Sequence, residues 1–214
     1  MNAEGLIGKL HWLGHDSFRL DGPLVIYFDP WRLSGSLPTA DLVLVSHEHD
    51  DHCSPDDIAK ISGPDTVIVA SASAAPRLPG ARAVRPGDQL GVGGIEIEAV
   101  RAYNVNKFRS PGVPFHPREA DHVGFVVTVD KVRLYFAGDT DHIPEMAEID
   151  CEVALLPVSG TYVMTVEEAV EAANTIQPQV VVPMHFGAGI GTADDGQQFD
   201  TLYEGKVSIL EAGA

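Results

Sequence analysis

The sequence predicts an α/β protein dominated by short strands. Two observations carry this reading. Ten apolar runs of strand length are bounded by Gly, Pro or Asp, and three segments combine helical spacing with helix-start signals. The strand-like runs are Leu6 to Trp12, Leu24 to Phe28, Leu42 to Val45, Thr66 to Ala70, Ile95 to Tyr103, Val123 to Val129, Val132 to Ala137, Val153 to Pro157, Val180 to Met184 and Val207 to Leu210. Several, such as LVLV and VVVP, are apolar without a break, which suits strands covered on both faces. Asp130-Lys131 between two such runs reads as a hairpin turn. Of the helices, Pro55 to Ile61 starts with Ser54 as N-cap and proline at the first helical position. Thr165 to Ile176 carries Thr165 and Glu168 at capping-box spacing, alanines at 169, 172 and 173, and Pro178 just beyond its end. Asp194 to Tyr203 is a weaker third helix. The stretch from Asn104 to Asp121 is poor in apolar residues and holds three prolines. It reads as a long loop between two halves, and such loops in compact domains are usually functional.

Length and composition bound the function. The 214 residues are 44% hydrophobic and 21% charged, as in ordinary globular proteins. They are expected to form a single domain over residues 1–214, burying roughly 70% of the unfolded surface. Fourteen Lys and Arg against 31 Asp and Glu give a net charge of −17. That balance speaks against a passive nucleic-acid binder with a basic patch, and against charge-driven binding to an anionic membrane. A nucleic-acid hydrolase stays open, because a bound metal supplies local positive charge. The acids are spread along the chain, which fits either a salt-adapted surface or an ordinary acidic protein. Two cysteines, Cys53 and Cys151, cannot make a disulfide framework. No signal-like start is visible and no apolar run approaches ~18–20 residues. The expectation is a soluble, cytoplasmic protein with a small-molecule substrate, no membrane partner and no stable nucleic-acid partner.

The strongest chemical signal is Ser46-His47-Glu48-His49-Asp50-Asp51-His52. Nine histidines in 214 residues give about a quarter of one per six-residue window, and here residues 47–52 hold three. The segment follows a buried run and precedes a helix start, so it is a strand-to-helix loop at a sheet edge. His47 and His49, two apart in extended chain, point the same way and can grip one cation. Asp51 and His52, where the chain turns, can face a second. Imidazole and carboxylate donors suit zinc, iron or manganese.

The pattern His47-x-His49-x-Asp51-His52 resembles the signature of the metallo-β-lactamase superfamily. The resemblance extends to Phe28-Asp29-Pro30, to Ala137-Gly138-Asp139-Thr140 and to Pro183-Met184-His185, and covers about residues 6 to 210. Trp12-Leu13-Gly14-His15-Asp16-Ser17 looks most like the branch that includes L-ascorbate-6-phosphate lactonase and is related to the N-acyl-phosphatidylethanolamine phospholipase D type. The resemblance implies a four-layer αββα sandwich with metals at one edge between two sheets. It assigns His47 and His49 to metal site one, Asp51, His52 and His185 to site two, and Asp139 as the bridge. The family's third site-one histidine usually follows the strand that here is Ile95 to Tyr103, where this chain reads Ala102-Tyr103-Asn104. Asn is a poor zinc ligand, so a histidine from the nearby loop is expected instead: His116 first, His122 second. Asp29 reads as an orienting residue, His15 as either a cleft-lining or a turn residue, and His142 as a solvent-exposed histidine. Cys53 reads as a small buried residue and His11 as structural.

The activity implied is that of a hydrolase in which a metal-activated water attacks a phosphodiester, a lactone or another ester, with Asp51 as the catalytic carboxylate. Zinc, as one or two ions, is the expected cofactor, with manganese, iron or nickel as alternatives. Lys107, Arg109 and Arg118 on the long loop suggest a hold on an anionic substrate; charge balance is the plainer explanation. The segment Gly187 to Gly196 is expected to flank the cleft with that loop. Two rival readings use the same fold: an iron-dependent redox protein, and a non-catalytic metal-binding or regulatory protein.

Overall fold

A computed structural model describes residues 1–187 and 189–213. A short helix, α1 (Ala3–Ile7), precedes strands β1 (Leu10–Gly14), β2 (Ser17–Asp21), β3 (Val25–Phe28) and β4 (Ala40–Val45). Helix α2 (Pro55–Ile61), β5 (Ser62–Ser71) and β6 (Arg82–Val84) complete the first sheet, which runs β1-β2-β3-β4-β5-β6 in space. Strands β7 (Gln89–Val92) and β8 (Ile95–Arg101) begin the second sheet, and a small hairpin of β9 (Phe108–Ser110) and β10 (Val113–Pro114) follows. Then come β11 (Val123–Val129), β12 (Val132–Phe136), β13 (Val153–Pro157), α3 (Val166–Ile176), β14 (Val180–Met184) and α4 (Asp195–Leu202). The second sheet runs β14-β13-β12-β11-β8-β7. Each sheet is antiparallel at one side and parallel at the other: β3 to β6 in the first, β12 to β14 in the second.

Strand alternation explains the layering. In β3 and β4, Ile26, Phe28, Leu42 and Leu44 enter the core between the sheets. Their neighbours Tyr27, Val43 and Val45 face the other way, onto Ile58 and Ile61 of α2. The sheets meet through aromatic rings: Phe136 lies 5.2 Å from Phe28 and 6.4 Å from Phe18 between ring centroids. On the far side of the second sheet, α3 turns Ala169, Ala172 and Ala173 inward beside β13, and Phe199 of α4 is fully buried. Alanines there let the helix approach closely. The result is the expected αββα sandwich.

Four local expectations need correction. Leu6 to Trp12 is not one strand. The Asn2 side chain accepts a hydrogen bond from Gly5 N (2.9 Å) and caps a helical turn before β1 begins. Strands β2, β6 and β7 were not anticipated; they are short and carry charged, polar or Gly residues on open faces. Val207 to Leu210 forms only a single bridge, Val207 to Val181, because the chain then crosses to β1, where Gly213 N donates to Trp12 O (3.1 Å). Residues 104–121 are not wholly irregular, since they contain the β9–β10 hairpin. No helix among the described residues is long and apolar enough to cross a membrane.

Phe136→Ala should cost about 3–5 kcal/mol, since the ring fills the space between the sheets. Thr165→Ala should cost about 1 kcal/mol, since it removes one half of the α3 capping box. Urea unfolding of both variants checks the ranking; equal losses would show that the aromatic contact is not central to the sandwich.

Candidate metal centre

The polar residues singled out in the sequence converge because their strands end at one edge. Asp29 follows β3, His47, His49, Asp51 and His52 follow β4, Asp139 follows β12, and His185 follows β14. His15 sits in the β1–β2 turn. At this edge the chain turns sharply: His15 (φ 53°), Asp29 (φ 39°) and His185 (φ 58°) are all left-handed. Such conformations in non-glycine residues are strained and persist only where the surroundings over-determine them. The two halves are tied here by Val123 N donating to Ser46 O (3.1 Å).

Several groups of donors form around one buried carboxylate. Ring nitrogens of His47, His49 and His116 lie within 4.8 Å of one another. Nε2 of His47 is 3.0 Å from Nδ1 of His49, which is 3.3 Å from Nε2 of His116. Donor atoms of Asp16, His52, Asp139 and His185 form a second group within the same limit, and ring nitrogens of His15, His52 and His185 a third. Asp139 stands between, 4% exposed. Its Oδ2 is 3.2 Å from His116 Nε2, while its Oδ1 is 3.3 Å from His52 Nε2 and 3.4 Å from His185 Nε2. Asp51 is more open, 35% exposed, with Oδ2 3.3 Å from His15 Nε2 and 4.0 Å from His52 Nε2.

Hydrogen bonds behind the rings fix their orientation. His52 Nδ1 is 2.8 Å from Asp29 Oδ2, and Asp29 also accepts from Ser46 N (2.7 Å) and Ser46 Oγ (2.5 Å). Ser46 Oγ is 2.9 Å from His47 Nδ1, and Ser159 Oγ is 2.9 Å from His185 Nδ1. Asn104 occupies the place of the absent histidine. Its Oδ1 accepts from His116 N (2.8 Å) and lies 2.9 Å from His116 Nδ1, while its Nδ2 donates to Asp141 Oδ1 (3.1 Å) and Tyr162 O (2.9 Å). Asp141 also accepts from Val105 N and Asn106 N, which fastens the start of the loop.

The electrostatics favour a cation. Burial lowers the basicity of His47 and His49, and pushes His15 down to about 4, so these rings are neutral at pH 7. Burial opposes charge on Asp139, yet the surrounding His52, His185 and His116 outweigh it and hold the carboxyl well below its ordinary value. Burial likewise disfavours a charged His52, but Asp139 and Asp29 reverse the balance and pull positive charge onto this point. Burial also raises Asp51, and the His15 contact and the His52 field overcome it, leaving a carboxylate. His52 Nε2, His185 Nε2 and Asp139 Oδ1 are buried, face one another and have no hydrogen-bond partner among the described residues. Orphaned polar atoms of this kind are costly. Two imidazole lone pairs and a carboxylate oxygen are the donor set a divalent cation takes.

The site gathers His47, His49, His52, His116, Asp139 and His185, with Asp51 at its rim. His122 packs against this cluster, its ring centroid 4.9 Å from that of His47, but its nitrogens join none of the donor groups, and its Nε2 lies 2.9 Å from Glu48 Oε2. His142 meets Thr175, and His11 meets Asp21 at 3.0 Å. The loop cations are largely committed elsewhere: Lys107 pairs with Glu168 (2.6 Å) and Arg118 with Glu145 (2.7 Å). Arg109 lies over the Phe115 ring at 5.6 Å. Within the flanking segment 187–196, Ala188 lies outside the described residues. Sequence reasoning gave no role to Asp16 or Ser159. Asp16 follows His15 directly and is fully buried, a placement that the polar run His15-Asp16-Ser17 gave no local signal of.

Comparison with known proteins agrees with this fold. The family model for the beta-lactamase superfamily domain matches residues 9–185. A UPF0173 metal-dependent hydrolase of Methanoculleus marisnigri is 35% identical over 211 residues, covering 95% of this chain and 92% of its own. A second, from Pyrococcus abyssi, is 30% identical over 96% of this chain and 97% of its own. The crystal structure of a protein from Parabacteroides distasonis superposes with a TM-score of 0.84 at 33% identity, covering 95% of this chain and 93% of that one. A metallo hydrolase from Ignicoccus hospitalis gives a TM-score of 0.77 at 25% identity, over 96% and 95%.

Gly138 sets the approach of Asp139. Its φ is +62°, and an added Cβ would stand 3.1 Å from Ser46 Cβ and 3.2 Å from Val123 O. Gly35 has φ +75° with open space around it. Both Gly→Ala variants should lose about 1 kcal/mol or more to backbone strain. Gly138→Ala should lose more, and the difference in thermal melting measures the crowding; equal losses would show that the turn has room to shift.

Proposed function

The chain belongs to the metallo-β-lactamase superfamily, and on that premise we propose that it is a metal-dependent hydrolase whose residues on either side of Asp139 would hold two cations. The observation that carries this is the carboxylate itself, with one oxygen beside His116 and the other beside His52 and His185. His47, His49 and His116 would hold one cation; His52 and His185, with Asp139 and Asp51, the other. Zinc fits these donors best, with manganese, iron or nickel as alternatives. Bound cations lower the pKa of a water from 15.7 toward ~7 and polarise a substrate oxygen.

The chain's own groups do the rest. Asp51, ionised and open to solvent, accepts a proton from the attacking water and returns it to the leaving oxygen. Asn104, Asp29, Ser46 and Ser159 keep the imidazoles aimed, so little reorganisation is needed during reaction. The substrate is a small phosphodiester, lactone or other ester. The Trp12 to Ser17 and Gly138 to Thr140 runs favour the lactonase-like branch within the superfamily. With Lys107 and Arg118 engaged in ion pairs, recognition of an anionic group falls to the cations and to Arg109. A redox member relying on a reactive thiol is disfavoured, because burial pushes the Cys53 thiol up to about 11.

Elemental analysis of the purified protein should find near two equivalents of metal per chain, falling toward one in His116→Ala. One equivalent or less in the native protein would overturn the two-cation reading. Asp51→Ala should lower kcat on bis-p-nitrophenyl phosphate, a p-nitrophenyl ester or a lactone by about 10²- to 10⁴-fold. Native turnover in that variant would remove Asp51 from the chemistry.

A further inference from the structure

We infer that His15 is a third imidazole ligand of the second cation, so that two sets of three histidines flank Asp139. This rests on the metal reading above and extends it to a residue of the β1–β2 turn. Ring nitrogens of His15, His52 and His185 lie within 4.8 Å of one another, the same limit that gathers His47, His49 and His116. His15 is 1% exposed, and neither of its ring nitrogens has a hydrogen-bond partner among the described residues. Buried ring nitrogens ordinarily find a partner.

The ring is held where a ligand must be. Its centroid is 4.2 Å from that of His185 and 5.2 Å from that of His52. The backbone is pinned on both sides: His15 O accepts from Trp12 Nε1 (2.7 Å) and from His185 N (3.3 Å). The left-handed φ of 53° is held by these contacts, and the ring is buried beside His52 and His185. The neighbouring Asp16, fully buried, brings a carboxylate oxygen within 4.8 Å of donor atoms of His52, Asp139 and His185. Asp51 joins none of these clusters. Its oxygen lies 3.3 Å from His15 Nε2 without hydrogen-bond geometry, on the solvent side. With His15 as ligand, the second cation would draw on three imidazoles and Asp139, with Asp51 at its open side, where it can also accept a proton.

The test uses two variants of the full chain. His15→Gly removes the ring and relaxes the left-handed backbone. His15→Phe keeps the ring volume against His185 and Trp31 and deletes the nitrogens. Each is dialysed against Zn²⁺ alone and titrated with Co²⁺, whose visible absorption reports its ligands. Thermal melting of the metal-free forms checks folding. Both variants should lose one of two equivalents, with affinity at that site falling by more than the roughly 10- to 100-fold typical of losing an outer hydrogen-bond partner. The absorption of the remaining Co²⁺ should be unchanged. Free imidazole should restore the second equivalent in His15→Gly and fail to do so in His15→Phe. Two retained equivalents with the native Co²⁺ spectrum in both variants would overturn the assignment of His15 alone. A native protein with fewer than two equivalents, or unchanged content in His52→Ala and His116→Ala, would overturn the metal reading and this assignment with it.

Discussion

A single buried carboxylate organises the molecule. Asp139 is almost sealed from water, and an ionised carboxylate in that position is tolerated only when positive charge or aimed donors surround it. Three imidazoles stand within 3.4 Å of its two oxygens, drawn from both halves of the chain. Every special feature of this edge serves their placement: the left-handed turns at His15, Asp29 and His185, the crowded Gly138, and the short hydrogen bonds between Ser46 and Asp29.

The sandwich makes such a convergence possible at low cost. The parallel strands β3 and β4, and β12 to β14, end at the same edge, so residues far apart in sequence arrive together. The Phe28–Phe136 contact and the Val123-to-Ser46 hydrogen bond lock the two sheets in register with one another. Rigid strands then carry the ligand-bearing turns, and outer hydrogen bonds aim each ring. Packing and hydrogen bonds thus hold the rings in place, the kind of arrangement on which electrostatic catalysis relies.

Residues 104–121 show how a missing side chain is replaced. Asn104 stands where a strand-end histidine would be, and it does not face the cluster as a donor; it grips both the backbone and the ring of His116. Asp141 and the Lys107–Glu168 pair anchor the same loop to the strand end and to α3. The basic residues that looked like an anion trap are instead largely loop fasteners. A loop can deliver a ring as accurately as a strand when its first residues are tied this firmly.

Much of the architecture was legible because the physics is local. The apolar runs of β3, β4 and β11 to β14 bury both faces, and the capping box of α3 is written in Thr165 and Glu168. The cluster of histidines after β4 announced a cation site by density and spacing alone. Short, half-open strands such as β2, β6 and β7 were not legible, because what stabilises them is pairing with distant partners. The same holds for the site's finer chemistry. Sequence determined which residue types could bind a cation and at which strand ends they lie. Only the tertiary structure decided that His116 rather than His122 joins His47 and His49, and that His15 and Asp16 turn inward beside His52. Those choices depend on distances between chain segments that no local pattern encodes, set by how two sheets pack and where their edges meet.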